Sequence, residues 1–401
     1  MERPLNVRPI DDPPGITSAR TLPAAWYSSA DHHERELQSV FRDEWVCVGD
    51  VDDMPAPGAW RAISVGGLPV LLVRDREGVL RGFVNVCRHR AAPLCEHGGE
   101  GSGAALSCPY HAWLYRLDGT LARAQGVGNP DDFDVADYSL KPVSVSQFRR
   151  WVWIHADQTA VAPDFGPLAD AIDAFPLESM DVVLAETDER AFNWKVLLEN
   201  YSENYHTPFI HPEIDTSNTH DYPMVSDGLV LYAWDRPLHP TDEAGRVMAG
   251  LLPGEPGWEA LAGADTGQPY AVGSYLTMWP NLMLNVFPDA ALAMWMEPVA
   301  ANRTVVHRRL YMRPGGDADA RAANIAAHRL VHLQDIDICN AVQTSHDAGV
   351  SADGVLATVE ERGVYWVHQH VRRAAGAGLQ PARRIWGRGT IAETLLEDRG
   401  D

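Results

Sequence analysis

Cys87-Arg88-His89 and Cys108-Pro109-Tyr110-His111 decide how this chain is read. Each run offers one thiolate and one imidazole, and eighteen residues lie between them. A Cys-x-His followed by a Cys-x-x-His suits a Rieske-type [2Fe–2S] centre, in which two cysteines hold one iron and two histidines the other. Neutral imidazoles leave such a cluster less negative than four thiolates would, which raises its potential and suits it to accepting and passing on an electron. Cys87 and His89 stand two apart on an extended run, so their side chains face the same way. Pro109, with its fixed φ, favours a tight loop between Cys108 and His111. Tyr110 and Trp113 are placed to shield the centre and to tune it by hydrogen bonding. A structural zinc site uses the same ligand types, but its usual spacing groups Cys with Cys and His with His. Cys95 and His97, between the two runs, read as a partly buried thiol and a loop histidine.

The surroundings of both runs are β-like. Val70–Val73, Phe83–Val86 and Trp151–Ile154 are short apolar stretches separated by Gly, Pro and Asp. Arg74–Gly78 and Leu117–Thr120 read as hairpin turns, the second carrying Asp-Gly. Upstream, Leu37, Phe41 and Trp45 repeat at helical spacing within 31–45. The chain is therefore divided into an N-terminal arm and helix (1–44) packing on the last domain, an all-β domain (45–157), and a mixed helix–strand domain (158–401). The overall class is α+β. In the last domain, 193–205 and 321–342 read as helices, and 275–298 as two buried strands around Pro288-Asp289.

A second donor set lies downstream. His206 and His211 are five apart, one more than a straight helix prefers for two ligands on one face. Pro208 disfavours helical geometry at Thr207 and breaks or kinks the helix, so a loop between the two histidines could aim both rings at one ion. Two histidines and one carboxylate form the facial triad of non-haem Fe(II) oxygenases, with positions left open for O₂. Asp335 and Asp337 are the candidate carboxylates. Glu203, three before His206, shares its helical face.

Composition bounds the partners. With 33 basic and 55 acidic residues the formal net charge is −22, which supplies no basic stripe for nucleic acid and disfavours an anionic membrane. No apolar run approaches the roughly 20 residues that span a bilayer, and the N-terminus lacks an apolar signal core. Five scattered cysteines are unlike a disulfide framework, so a reducing cytoplasm is expected.

Together these residues resemble the α subunits of Rieske non-haem iron ring-hydroxylating oxygenases. The likeness rests on Val86–Cys95, Cys108–Trp113, Asn193-Trp194-Lys195, Glu199-Asn200 and Tyr205-His206, in the family's order. Glu203, Leu22–Tyr27 and Glu361–Tyr365 are most similar to the choline, glycine betaine, carnitine and stachydrine mono-oxygenases. Departures are the insert-like Gly98–Gly103 segment and Ala91 and Ala112, which stand where glycine is common. The resemblance implies an all-β Rieske domain and a helix-grip-like catalytic domain with an antiparallel sheet. Cys87, His89, Cys108 and His111 would bind the cluster. His206, His211 and Asp335 would bind a mononuclear Fe(II), with Asp337 as the fallback. Glu203 would bridge the two sites across a subunit boundary of a homotrimer. Electrons would come from NAD(P)H through a separate flavin/iron–sulfur reductase, O₂ would be the co-substrate, and a small quaternary or N-methylated amine would be hydroxylated or N-demethylated. Hydroxylation or O-demethylation of an aromatic compound is the alternative, and a Rieske electron carrier or redox sensor the non-enzyme one. Tyr275, Trp279, Leu284, Val286 and Trp295 are the candidate substrate contacts, aromatic members of which could hold a cation by cation–π attraction.

Overall fold

The computed structural model describes residues 15–128, 130–172, 175–212, 224–227, 229–234, 273–287, 290–350 and 354–376. The chain separates into two compact units, one of residues 37–163 and the other of residues up to 36 together with 164 onward. The sequence reading set these divisions at 44/45 and 157/158; the chain's own packing sets them at 36/37 and 163/164.

The first unit is all β. Its strands are β1 (Val46–Asp50), β2 (Ala59–Val65), β3 (Leu68–Arg74), β4 (Leu80–Val84), β5 (Glu100–Ser102), β6 (Leu106–Ser107), β7 (Leu114–Tyr115), β8 (Leu121–Arg123), β9 (Pro142–Phe148) and β10 (Trp151–His155). Seven form one sheet in the order β1-β10-β9-β4-β3-β2-β5, and β6-β7-β8 form a second. Both turn expectations are met: Gly78 and Gly119 adopt φ of 82° and 86° between paired strands, a conformation glycine tolerates without a Cβ clash. The insert-like segment is β5, which extends the sheet edge by pairing with β2. Leu71, Val73, Phe83, Trp113, Tyr115 and Leu121 make one buried cluster with Cys87 and Cys108, so both thiols are part of a core.

The second unit sets helices against one sheet. Its helices are α1 (Ala25–Ser28), α2 (Ala30–Ser39, shorter than the helical spacing promised), α3 (Gly166–Ile172), α4 (Trp194–Tyr201), α5 (Thr207–Ile210), α6 (Ala318–Asp347) and α7 (Arg362–Ala374). Strands β11 (Asp181–Arg190), β12 (Met224–Asp227), β13 (Val230–Trp234), β14 (Ser274–Met278), β15 (Leu282–Val286), β16 (Ala290–Ala300) and β17 (Arg303–Met312) run antiparallel in the order β11-β17-β16-β15-β14-β13-β12. The stretch 275–298 thus holds three strands, not two, because Trp279–Asn281 makes an additional turn; Pro288-Asp289 lies outside the described residues.

Burial along β14–β16 is nearly continuous, so both faces of the sheet centre are covered. Register tells the faces apart. Tyr275 opposes Asn285, Met283 opposes Met294, Met294 opposes Arg308, and Arg308 opposes Glu186. This is the face the helices cover: Tyr201 of α4 donates its hydroxyl to Asn285, and Arg329 of α6 bonds Glu186 at 2.7 Å.

A buried charge pair secures α4. Lys195 is 0% exposed, and its ammonium donates to both oxygens of Glu36 on α2 at 2.7 and 2.8 Å; the Trp194 indole donates to the same carboxylate at 2.9 Å. Burial pulls the Lys195 pKa down, and Glu36 opposes that pull. At the other end of α4, Gly363 of α7 approaches the Ser202 carbonyl so closely that any Cβ would collide with it. The helix end that precedes Glu203 and His206 is therefore held from two sides. Among the described residues no helix is long and apolar enough to cross a membrane. Lys195→Met, which strands the Glu36 charge, is expected to cost about 3–5 kcal/mol in urea unfolding, and adding Glu36→Gln should recover most of it.

Candidate functional site

The two cluster loops are built alike. The Cys87 amide donates to the Ala92 carbonyl at 2.8 Å, and the Ala91 amide returns to the Cys87 carbonyl at 3.1 Å. The second loop repeats this: Cys108 to Trp113 at 2.8 Å, and Ala112 to Cys108 at 3.0 Å. Closing such a loop needs a left-handed residue at its fifth position, and Ala91 and Ala112 take φ of 59° and 54°. That is the physical reason glycine is common there.

The loops place both thiols in the core and both imidazoles outward; residues 88–90 form a turn rather than the extended run expected, so Cys87 and His89 do not share one strand face. Cys87 and Cys108 are buried, and His89 Nδ1 and His111 Nδ1 face one another at 3.1 Å. Trp113 stacks on His89 at 4.9 Å, and Tyr110 lies against His111. Tyr115, which the sequence reading missed, sits with its hydroxyl 3.3 Å from Cys87 Sγ and accepts the Arg88 amide at 3.0 Å. Burial raises the Cys87 thiol pKa, partly countered by the Tyr115 hydrogen bond. Cys95 is half-buried against this core, its carbonyl accepting from Asn85.

The second donor set converges from two helices. The expected loop between the histidines is instead the short α5, Thr207 included, because Pro208 fits a first helical turn where no amide donor is needed; His206 precedes the helix and His211 follows it. From α6, Asp335 Oδ1 comes within 3.4 Å of His206 Nε2 and 3.1 Å of His211 Nε2. One ligand atom from each lies within 4.8 Å of the other two, a spacing that could hold a metal ion. Asp337 is exposed, about 200° further around the helix. Each imidazole is oriented through its other nitrogen: His206 Nδ1 to Glu203 at 2.6 Å, and His211 Nδ1 to Gln334 Oε1 at 2.7 Å. Burial alone would lower the His206 pKa; hydrogen bonds to Asp335 and Glu203 outweigh it and push the value up to about 9. Gln334 was not singled out from sequence, where nothing marks it beyond adjacency to Asp335.

Comparison with known proteins agrees with both donor sets. Residues 44–139 match the Rieske [2Fe-2S] domain, and residues 177–377 match the catalytic domain of the ring-hydroxylating α subunit. The chain belongs to the ring-hydroxylating oxygenase α-subunit family. The glycine betaine monooxygenase oxygenase subunit of Pseudomonas aeruginosa (strain UCBPP-PA14) is 36% identical over 196 residues, covering 48% of this chain and 45% of that protein. The match thus spans about half the length of that relative. The carnitine monooxygenase oxygenase subunit of Escherichia coli (strain K12) is 28% identical over 368 residues, 87% of this chain and 92% of its own length. A solved quaternary ammonium Rieske monooxygenase superposes with TM-score 0.73 at 24% identity over 92% of this chain and 99% of that one. Naphthalene 1,2-dioxygenase superposes with TM-score 0.67 at 18% identity over 90% and 97%. At such identities these two likenesses establish the fold.

The residues present fit the groups this family carries. Two buried thiols behind two facing imidazole nitrogens match the mixed ligation of a Rieske cluster, and two imidazoles with Nδ1 engaged leave Nε2 to face an iron beside Asp335.

The substrate contacts read from sequence need correction. Register turns Leu284, Val286 and Trp295 to the sheet face opposite Asn285 and Arg308, away from α4 and α6, where Trp295 stacks on His307 at 5.2 Å. Trp279 is 1% exposed and packed against Trp194, Trp366 and His370, so it is core. Of the five, only Tyr275 shares the helix-covered face, with Phe287 6.2 Å away. Leu284, Val286 and Trp295 were misplaced because strand alternation, invisible in an apolar run, decides which face a side chain joins.

Two outcomes test this geometry. Ala112→Gly should stabilise the protein by about 1 kcal/mol, relieving the left-handed alanine, with the cluster's EPR signal unmoved. Gln334→Leu should weaken iron binding at the second site about 10–100-fold in competition with a chelator while leaving acid-labile sulfide unchanged.

Proposed function

We propose that this chain is the terminal oxygenase component of a Rieske mono-oxygenase that hydroxylates or N-demethylates a small quaternary or N-methylated amine. The observation that carries this reading is the presence in one chain of a Cys₂His₂ donor set with its imidazoles outward and a largely buried His₂–carboxylate triad. Likeness to glycine betaine and carnitine mono-oxygenase subunits supports the substrate class. When bound, the cluster and the iron supply electron transfer and O₂ activation.

The chain's own residues do the rest. His89 and His111 form the outward edge of the cluster site, where electrons enter and leave. Glu203 accepts a hydrogen bond from His206 Nδ1–H and fixes the ring so that Nε2 faces the iron; the Gln334 side-chain oxygen accepts one from His211 Nδ1–H in the same way. Asp335 completes the ligand set, and the sites of Cys87, Cys108, His89 and His111 on one side and His206, His211 and Asp335 on the other are the two metal centres. We further infer a homotrimer in which Glu203 links the iron site to the cluster of a neighbouring subunit, a flavin/iron–sulfur reductase drawing on NAD(P)H as electron donor, and a cytoplasmic setting suited to five free cysteines. The balance is one O₂, two electrons and two protons per methyl group: one oxygen atom enters a C–H bond, the other leaves as water, and the carbinolamine breaks its C–N bond to release formaldehyde and the demethylated amine.

Formaldehyde release from N-methylated amines, with a reductase and NADH, tests the reading. One formaldehyde and one demethylated amine formed for each O₂ consumed supports it. Ring or O-methyl oxidation of aromatic substrates alone would move the assignment to the aromatic alternative, and full function in His206→Ala would leave only an electron carrier. Glu203→Gln should keep cluster and iron content but slow single-turnover electron transfer at least about a hundredfold; an unchanged rate would remove the bridging role.

A further inference from the structure

The helix-covered face of the sheet carries a buried cation that its neighbours only partly neutralise. Arg308 on β17 is 3% exposed. Its Nη2 bonds Glu186 on β11, but Arg329 of α6 bonds the same carboxylate at 2.7 Å. Two guanidinium groups thus share one carboxylate. Arg190, further along β11, is matched by Asp188 at 3.1 Å and leaves that balance unchanged. Arg308 Nε and Nη1 are buried and have no hydrogen-bond partner among the described residues, and the same is true of His332 Nε2 on α6. Burying charged donors without acceptors is costly, so such a group calls for an acceptor that completes it.

The location ties this group to the iron site. His332 precedes Asp335 by three residues, about 4.5 Å along the helix on neighbouring faces. His328, one turn earlier, and His332 are both held neutral: burial, reinforced by the Arg308 charge, brings them down to about 4 and about 3. They offer polar atoms without adding positive charge. Beyond His328 the surface turns aromatic, with Phe287 at 5.7 Å from it and Tyr275 next.

We propose that Arg308 is the carboxylate anchor of the substrate site, so that the substrate is a zwitterion carrying a methylated ammonium group and a carboxylate. The inference rests on the N-methyl reading above and narrows it. The guanidinium fork, with His332 beside it, takes the carboxylate, and the aromatic wall of Phe287 and Tyr275 takes the ammonium end.

Calorimetric binding of glycine betaine, its methyl ester and choline to the intact protein tests this without turnover. The wild-type protein is expected to bind the acid at least about tenfold more tightly than the ester or choline, because only the acid gives Arg308 a charged acceptor. Arg308→Gln should bring the acid-to-ester affinity ratio within about threefold. Arg308→Lys, which keeps the charge beside Glu186 but not the fork, should give an intermediate ratio and serves if the glutamine variant does not fold. Equal affinity of the wild-type protein for acid and ester, or an unchanged ratio in the variants, would overturn the proposal. Failure of the N-methyl reading looks different: none of the three amines binds while benzoate does, with an affinity that still depends on Arg308.

Discussion

The constraint on which this molecule turns is that three ligand atoms, two from a bent six-residue stretch and one from the middle of a 30-residue helix, must meet within 4.8 Å. Neither side can achieve this alone. His206 and His211 face one point only because Pro208 starts a new short helix between them. Asp335 reaches them only if α6 lies across α4 at a fixed height. The buried Lys195–Glu36 pair, the Trp194 hydrogen bond and the close approach of Gly363 to Ser202 hold α4, while Gln343 of α6 accepts the Asn193 amide at 2.9 Å. Polar groups with no direct role in chemistry thus set the height of the triad.

The cluster loops solve a similar problem by a different device. There the ligands are local, two per loop, and the constraint falls on the backbone. Each loop closes on itself through a pair of amide–carbonyl bonds and a left-handed residue, which turns the cysteine inward and the histidine outward. The result is a site whose thiolate side lies in a dry core, where Tyr115 can adjust the sulfur, and whose imidazole side meets solvent. An electron carrier needs this polarity: a protected cluster with one accessible edge.

The sheet of the second unit carries the consequences for specificity. Its centre is buried on both faces, and only one face has helices bearing the triad. Side chains on that face include Arg308 and Glu186, whose carboxylate is shared with Arg329 of α6, a hydrogen-bonded Asn285 and the aromatic Tyr275. A substrate site of mixed character, part aromatic and part cationic, follows from this composition more naturally than a purely apolar pocket does.

Ligand types and their order were legible in the sequence, because metal chemistry restricts donors to a few residues and short spacings keep them on one loop or helix end. The hairpin turns, the long helix and the β character of the first domain were legible for the same local reason. The rest required the folded chain. Asp335 and Asp337 both fit a donor list, and helical phase alone separates them by about 200°, with one facing the histidines and the other solvent. Gln334, Tyr115 and Arg308 carry no local signature, since each acts on a partner more than 25 residues away. Leu284, Val286 and Trp295 looked like a pocket wall because an apolar strand covered on both faces shows no alternation to say which way its side chains point. The sequence by itself determined which chemistry this protein's donors can support; the tertiary structure decided which of them meet, because distance through space depends on packing that no spacing along the chain records.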